Sequence, residues 1–279
     1  MSKTIAKAIA SFAGLVTAHM SPQRRASAKA LAAERLTQTV RIPTDRGEMV
    51  VFCPSARALH DPQGFGKDEP ETVDWIDQHI KDGETMWDIG ANIGLYTLYT
   101  ALNSQVTVLA FEPSAASFAT LVRNLELNAM DDRVAAYCLA FSDKTKLDAL
   151  HMANTDAGHS MHAFGQTETV EGTVNAIFSQ AVMGFSIDEF RNHFGLPAPD
   201  HIKLDVDSIE VKILKGAAKT LPTVKTVMVE TYGADRADGS NEIVDLLAAA
   251  GFDLSDATPA GPGRNQLFLN LSHTSISAA

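Results

Sequence analysis

The sequence is short of several things that would have narrowed its reading at once. It has two cysteines, Cys53 and Cys138, far apart in the chain. Two thiols cannot build a four-cysteine zinc site or a disulfide framework, so a reducing, cytoplasmic setting is expected. Positive charge is in deficit: 23 lysines and arginines face 34 aspartates and glutamates, for a net charge of −11. Such a chain repels phosphate backbones, and nucleic acid is not an expected partner. No apolar run reaches the about 20 residues that span a bilayer. No internal repeat or low-complexity tract is visible. What is present is 279 residues, 45% of them hydrophobic, enough for one large domain and an appendage.

The opening stretch, MSKTIAKAIASFAGLVTAHM, loosely resembles a signal or transit peptide, with Lys3 and Lys7 before a mildly apolar run from Ala8 to Ala18. Ile5, Ile9, Phe12 and Val16 recur every three to four residues, so an amphipathic helix fits better. Its apolar stripe is expected to pack on its own domain or on a partner subunit, giving a homo-oligomer through the arm. Attachment to a membrane surface is the less expected alternative.

Residues 2 to 36 read as helical, and TVRIPTDRGEMVVFCP, with Arg46-Gly47 at its centre, as a β-hairpin. These make an N-terminal segment, residues 1–68. Over residues 69–279, helix EPETVDWIDQHI is followed by strands ETMWDIG, VTVLAFEP, RVAAYCLAF, HIKLDV, VKTVMVET and NQLFLNL, with helical segments between most of them. That alternation predicts a doubly wound, mostly parallel α/β sheet. Ligands in such sheets bind beyond the carboxyl ends of the strands, so the residues just past each strand carry the information.

The first such end is Asp88-Ile89-Gly90-Ala91-Asn92-Ile93-Gly94. A dinucleotide loop, G-x-G-x-x-G, would need glycine at 92 and 95, where the chain has Asn92 and Leu95. Gly90 permits close backbone approach, Asn92 could cap the next helix, and Asp88 suits a cationic ligand group. At the second end, Glu112 is placed to accept from both hydroxyls of a ribose. A ribose, a cationic amino-acid end and no pyrophosphate describe S-adenosylmethionine. At the third end, Ala140 and Phe141 could flank an adenine ring and Asp143 accept from its amino group; Phe141 could equally be core. At the fourth, Lys203 and Asp205 break an apolar strand on one side of the sheet. Lys203 either finds an anionic partner inside or snorkels out. Asp207 and Glu210 form an Asp-x-x-Glu capping pair. At the fifth, Glu230 stands one strand from Asp205, too few ligands to assign a metal.

The segments EPETVDWI, WDIGANIGLYT, FEP, LVRNLELN, DHIKLDVDSIEVKILKGA and VMVE occur in this order. Together they resemble the FkbM family of S-adenosylmethionine-dependent methyltransferases, over about residues 69 to 270. The resemblance implies a Rossmann-like, class I sheet of seven strands with the last antiparallel. It implies O-methylation of a hydroxyl on a sugar, polyketide or other small metabolite. By position, Asp88, Gly90, Asn92 and Gly94 match the cofactor loop, Glu112 the ribose acid, and Lys203 with Asp205 the K-x-D strand. The chain departs where the family usually reads D-V-E-G-x-E: it has Asp207 and Ser208 in place of Glu and Gly.

A neutral hydroxyl must lose its proton at or before methyl transfer. Candidate bases are Asp205, Lys203 if neutral, and His159 or His162 in an apparent long loop that also holds His151. Two alternatives stand beside this reading: another nucleoside-cofactor enzyme on the same sheet, and a non-catalytic binding module that kept the fold.

Overall fold

In a computed structural model, the structure describes residues 2–160, 162–169, 172–231, 241–256 and 264–274. The chain divides into two compact units, residues 1–39 and 40–279. The first holds α1 (Ser2–Val16) and α2 (Pro22–Leu36). The stretch expected to be helical, residues 2 to 36, is two helices separated by a turn over residues 17–21, and Ser21 caps α2 by accepting from the Arg24 amide. The Arg25 guanidinium donates to the carbonyls of Thr17, Ala18 and Met20, closing the end of α1.

The hairpin β1 (Gln38–Thr44) and β2 (Gly47–Cys53) leads into α3 (Ala56–Gly64) and α4 (Pro70–His79). Then come β3 (Thr85–Ile89), α5 (Leu95–Ala101), β4 (Thr107–Phe111), α6 (Ala115–Leu127) and β5 (Val134–Tyr137). An insert follows: β6 (Ala140–Phe141), β7 (Lys146–Met152), β8 (His162–Phe164), β9 (Glu168–Thr169), β10 (Gly172–Thr173) and β11 (Phe178–Phe185). The chain then runs through α7 (Ile187–Phe194), β12 (His201–Leu204), α8 (Glu210–Lys215) and β13 (Thr226–Thr231). It closes with α9 (Glu242–Ala249), β14 (Phe252–Leu254), β15 (Arg264–Asn270) and α10 (Leu271–Thr274).

Seven strands form a mixed, mostly parallel sheet in the order β14-β15-β13-β12-β3-β4-β5. β15 runs antiparallel to both its neighbours. The remaining pairs, from β13 across to β5, are parallel. Strand alternation sorts the apolar side chains into two cores. Trp87, Ile89, Leu109, Phe111, Ile202 and Val227 face one of them, with residues of α7, α8 and α9. Met86, Val108, Ala110 and Met228 face the other, with α4, α5 and α6.

The hairpin, grouped with the arm in the sequence reading, shares this second core through Ile42, Met49, Val51 and Cys53. Side-chain amides of α6 also hold it: Asn124 accepts from the Phe52 amide at 2.7 Å, and Asn128 pairs with both the N–H and C=O of Val50. The compact boundary therefore falls at residue 39/40 rather than 68/69.

The stretch RVAAYCLAF is not one strand. It leaves the large sheet after Tyr137 and enters a second sheet, β6-β11-β7-β8, at Ala140. The histidine-bearing insert is largely this four-stranded sheet, because Leu150, Met152, Phe164 and Val182 give it an apolar face to bury.

Candidate active site

The ends of β3, β4, β12 and β13 open into one cavity of about 320 Å³. Its wall contains Asp88, Gly90, Asn92, Glu112, Ala140, Phe141, His159, His162, Lys203, Asp205 and Glu230. Eleven residues scattered over the sequence thus meet in one place, and their local geometry decides what each can do.

Gly90 is the position where the missing side chain matters most. Its φ is +86°, and a Cβ there would sit 1.8 Å from the Asp205 carbonyl oxygen. The group that demands a glycine is the neighbouring strand's backbone. Gly94, also left-handed, is crowded by the Leu121 side chain and begins α5 itself. The expectation that Asn92 caps this helix is corrected accordingly: the helix starts two residues later, and Asn92 is held in a left-handed turn at φ 50°. Its amide donates to Glu112 Oε2 at 2.8 Å.

Glu112 is buried. Oε1 accepts from the Ser114 amide at 2.7 Å, while Oε2 takes the Asn92 amide. Each carboxylate oxygen has further lone pairs, so both remain able to accept from a ligand. Burial pushes the carboxyl up to about 7, against the pull of those two amides.

Asp88 is fully buried and paired in register with Lys203. Its Oδ2 accepts from the Thr97 hydroxyl at 2.5 Å, and its Oδ1 has no hydrogen-bond partner among the described residues. Burial raises its pKa while Lys203 opposes the shift.

Lys203 does not snorkel: only 2% of it is exposed. Its ammonium donates to Asp205 Oδ2 at 2.7 Å and stands 5.0 Å from the Tyr96 ring centroid. Burial alone would favour the neutral amine, but Asp205, Glu69 and Asp88 together hold Lys203 above the ordinary lysine range. That surrounding charge favours the ammonium over the neutral amine that a base would need.

Two residues absent from the sequence candidates complete this corner. Glu69, just before α4, accepts from Asn265 Nδ2 at 3.0 Å and is hydrogen-bonded to Tyr96. Burial raises the pKa of both Glu69 and Tyr96. The signal was present, since Glu69 opens EPETVDWI and Tyr96 follows the glycine loop by two residues, but nothing in one sequence says that these segments meet.

Beyond Asp205, Asp207 and Ser208 both adopt positive φ, 56° and 97°. The cap position of α8 is Ile209 rather than the expected Asp207, and Glu210 turns back to accept from the Val206 and Ser208 amides at 3.2 and 3.1 Å. Among the described residues, no group of three or more His, Cys, Asp or Glu is arranged to hold a metal ion.

Of the residues expected at a nucleobase, Ala140 borders the cavity, and so does Phe141, whose ring is committed to core packing. It stacks on Trp87 at 5.9 Å and meets Phe111 at 4.7 Å, edge on. Asp143 is exposed, accepts from the Ser142 hydroxyl, and does not border the cavity, so it is not placed to meet an adenine amino group.

The histidines arrive on a clamped loop. Ser55 donates to the Ala157 carbonyl, Arg57 to that of Gly158, and the Gly158 amide donates to Ser117. This carries His159 and His162 into the cavity wall, while His151 pairs with Ser179 outside it. His162 is buried, neither ring nitrogen has a partner among the described residues, and burial pushes it down to about 4.

Residues 88–254 match the Methyltransferase FkbM domain. Hexuronic acid methyltransferase AglP of Haloferax volcanii is 26% identical over 183 residues, 65% of this chain and 69% of that protein. The 31-O-demethyl-FK506 methyltransferase FkbM of Streptomyces tacrolimicus is also 26% identical, over 194 residues, 62% of this chain and 74% of that one. Methyltransferase sdnD of Sordaria araneosa reaches 28% over 191 residues, 60% and 73% of the two chains. A precorrin-6y C5,15-methyltransferase from Geobacter metallireducens superposes with a TM-score of 0.41 at 13% identity, covering 71% of this chain and 84% of that one.

Proposed function

For this chain, which belongs to the FkbM methyltransferase family, we propose S-adenosylmethionine-dependent O-methylation of a hydroxyl on a small acceptor, on a doubly wound class I sheet. One observation carries the reading: Glu112 and the Lys203–Asp205 pair open into the same cavity from neighbouring parts of one sheet.

The wall suits this cofactor. Glu112 keeps free lone pairs for ribose hydroxyls, and Asp88 and Glu69 add negative charge for a cationic ligand. When bound, the cofactor supplies a methyl group on a sulfonium. The protein's part is to hold the acceptor oxygen in line with that methyl and to manage its proton. Asp205 is the residue for the proton. Its carboxylate stands at the strand tip, partly exposed to the cavity, and Lys203 fixes its orientation through Oδ2. Neutral His162, or His159 beside it, is the second choice for the same task. Lys203 stays an ammonium and positions rather than deprotonates.

The wall's carboxylates also favour a neutral acceptor over an acidic one. The Asp207–Ser208 departure puts a left-handed serine at the position where the family usually reads glycine.

Calorimetric titration with S-adenosylhomocysteine and with NAD tests the cofactor assignment. Binding of the first and not the second is expected; NAD binding, or neither, sinks it. Methyl transfer from labelled cofactor to a panel of sugars and polyketide alcohols then separates an enzyme from a binding module.

A further inference from the structure

The acidic chain carries a basic, apolar arm. Among residues 2–39, Lys3, Lys7, Arg24, Arg25, Lys29 and Arg35 face Glu34 as the one acidic residue. In α1, Ile5, Ile9, Phe12 and Val16 share one helical face, with Lys3 and Lys7 on the opposite one. That apolar face is exposed, Phe12 by 67% and neighbouring Leu15 by 73%. No residue of α2 is buried. Five large apolar side chains in a row on solvent mark a contact surface rather than ordinary scatter.

We propose that this arm is a docking surface for an anionic lipid bilayer, with α1 lying flat in the headgroup region. Both its features fit. A helix of 15 residues is too short to cross a bilayer, and among the described residues no helix is long and apolar enough to do so. An apolar stripe backed by cations is what inserts at the boundary between headgroups and acyl chains. The basic residues of α2 add attraction to an anionic surface. Arg25, bonded to the carbonyls that end α1, keeps the two helices of the arm joined, so the charge of α2 stays with the stripe of α1.

The test uses the full chain and co-sedimentation with vesicles. Binding is expected to phosphatidylcholine vesicles containing phosphatidylglycerol, weakly or not at all to phosphatidylcholine alone, and to fade with added salt. The double variant Ile9→Glu/Phe12→Glu should bind about tenfold more weakly or worse. Lys3→Glu/Lys7→Glu should lose the preference for the anionic vesicles. All four positions lie in a helix whose exposed face makes no core, and the variants' thermal unfolding serves as the folding control. No binding to anionic vesicles, or binding unchanged in the Ile9→Glu/Phe12→Glu variant, overturns the proposal. So does a wild-type dimer by light scattering that becomes a monomer in that variant, which would assign the stripe to a second copy.

Discussion

Lys203 and Asp205, two residues apart at the end of β12, form a 2.7 Å ion pair in which the ammonium is enclosed and the carboxylate is 28% exposed. The lysine is thus fixed by its surroundings, and the aspartate offers its remaining oxygen to the cavity. Asp205→Asn keeps the shape and removes the charge. Turnover should fall about 10²-fold or more, with adenosylhomocysteine affinity nearly unchanged. If affinity falls and turnover at saturation holds, Asp205 serves the cofactor and His159 or His162 the proton.

Lys203→Met should act on stability. It leaves Asp88, Asp205 and Glu69 facing one another without the cation between them. Loss of about 3–5 kcal/mol is expected, read from denaturant unfolding. A loss well under about 1 kcal/mol would show that the carboxylates simply protonate.

The pH dependence of cofactor binding follows from Glu112. Ribose hydroxyls bond to the carboxylate, which forms as pH rises through about 7. Adenosylhomocysteine affinity should therefore weaken as pH falls from about 8 to 6, approaching tenfold per pH unit below the midpoint. Stability of the free protein runs the other way. Protonated Glu112 contributes fully below the ordinary glutamate value of about 4.5, and that contribution is lost as pH rises through about 7. His162 opposes it, since its neutral form contributes above 6.5 and is lost as pH falls through about 4. In Glu112→Gln, affinity should be low and flat with pH. A pH profile unchanged by that substitution removes Glu112 from the ribose.

Much of this was legible in the sequence. The glycine loop, Glu112 and the Lys203–Asp205 pair each sit at the end of an apolar strand, and period-two burial puts them in view. Glu69 and Tyr96 were not, because their meeting brings the residue before α4 to the start of α5, a long-range contact with no local pattern. Asp143 misled for the opposite reason: it is near Ala140 in sequence, but the chain changes sheets between Tyr137 and Ala140 and carries it to the surface. Asn92 and Asp207 misled because capping preference was read without the left-handed turns at Gly94 and Ser208, which shift both helix starts.

Ser208→Gly tests the strained turn. A serine at φ 97° costs what a glycine would not. Stability should rise by about 1 kcal/mol, seen as a higher midpoint in thermal or denaturant unfolding. No gain would mean that the serine side chain's contacts offset the strain.

Gly90→Ala should be severe. The added methyl overlaps the Asp205 carbonyl, and the backbone is left-handed as well. Destabilisation of about 3 kcal/mol or more is expected, with loss of adenosylhomocysteine binding. A folded variant of normal affinity would mean that β12 moves aside easily.

That overlap has an architectural consequence. Gly90 rests on the Asp205 carbonyl, and the Asp205 amide donates to the Ile89 carbonyl, so the glycine loop after β3 and the end of β12 are one rigid joint. Neither half can be remodelled alone. Room for change lies instead in the walls, where Ser55 and Arg57 of the α3 region grip the insert at Ala157 and Gly158. A graft meant to change the acceptor should exchange that region and the insert as a matched pair and leave the strand tips as they stand.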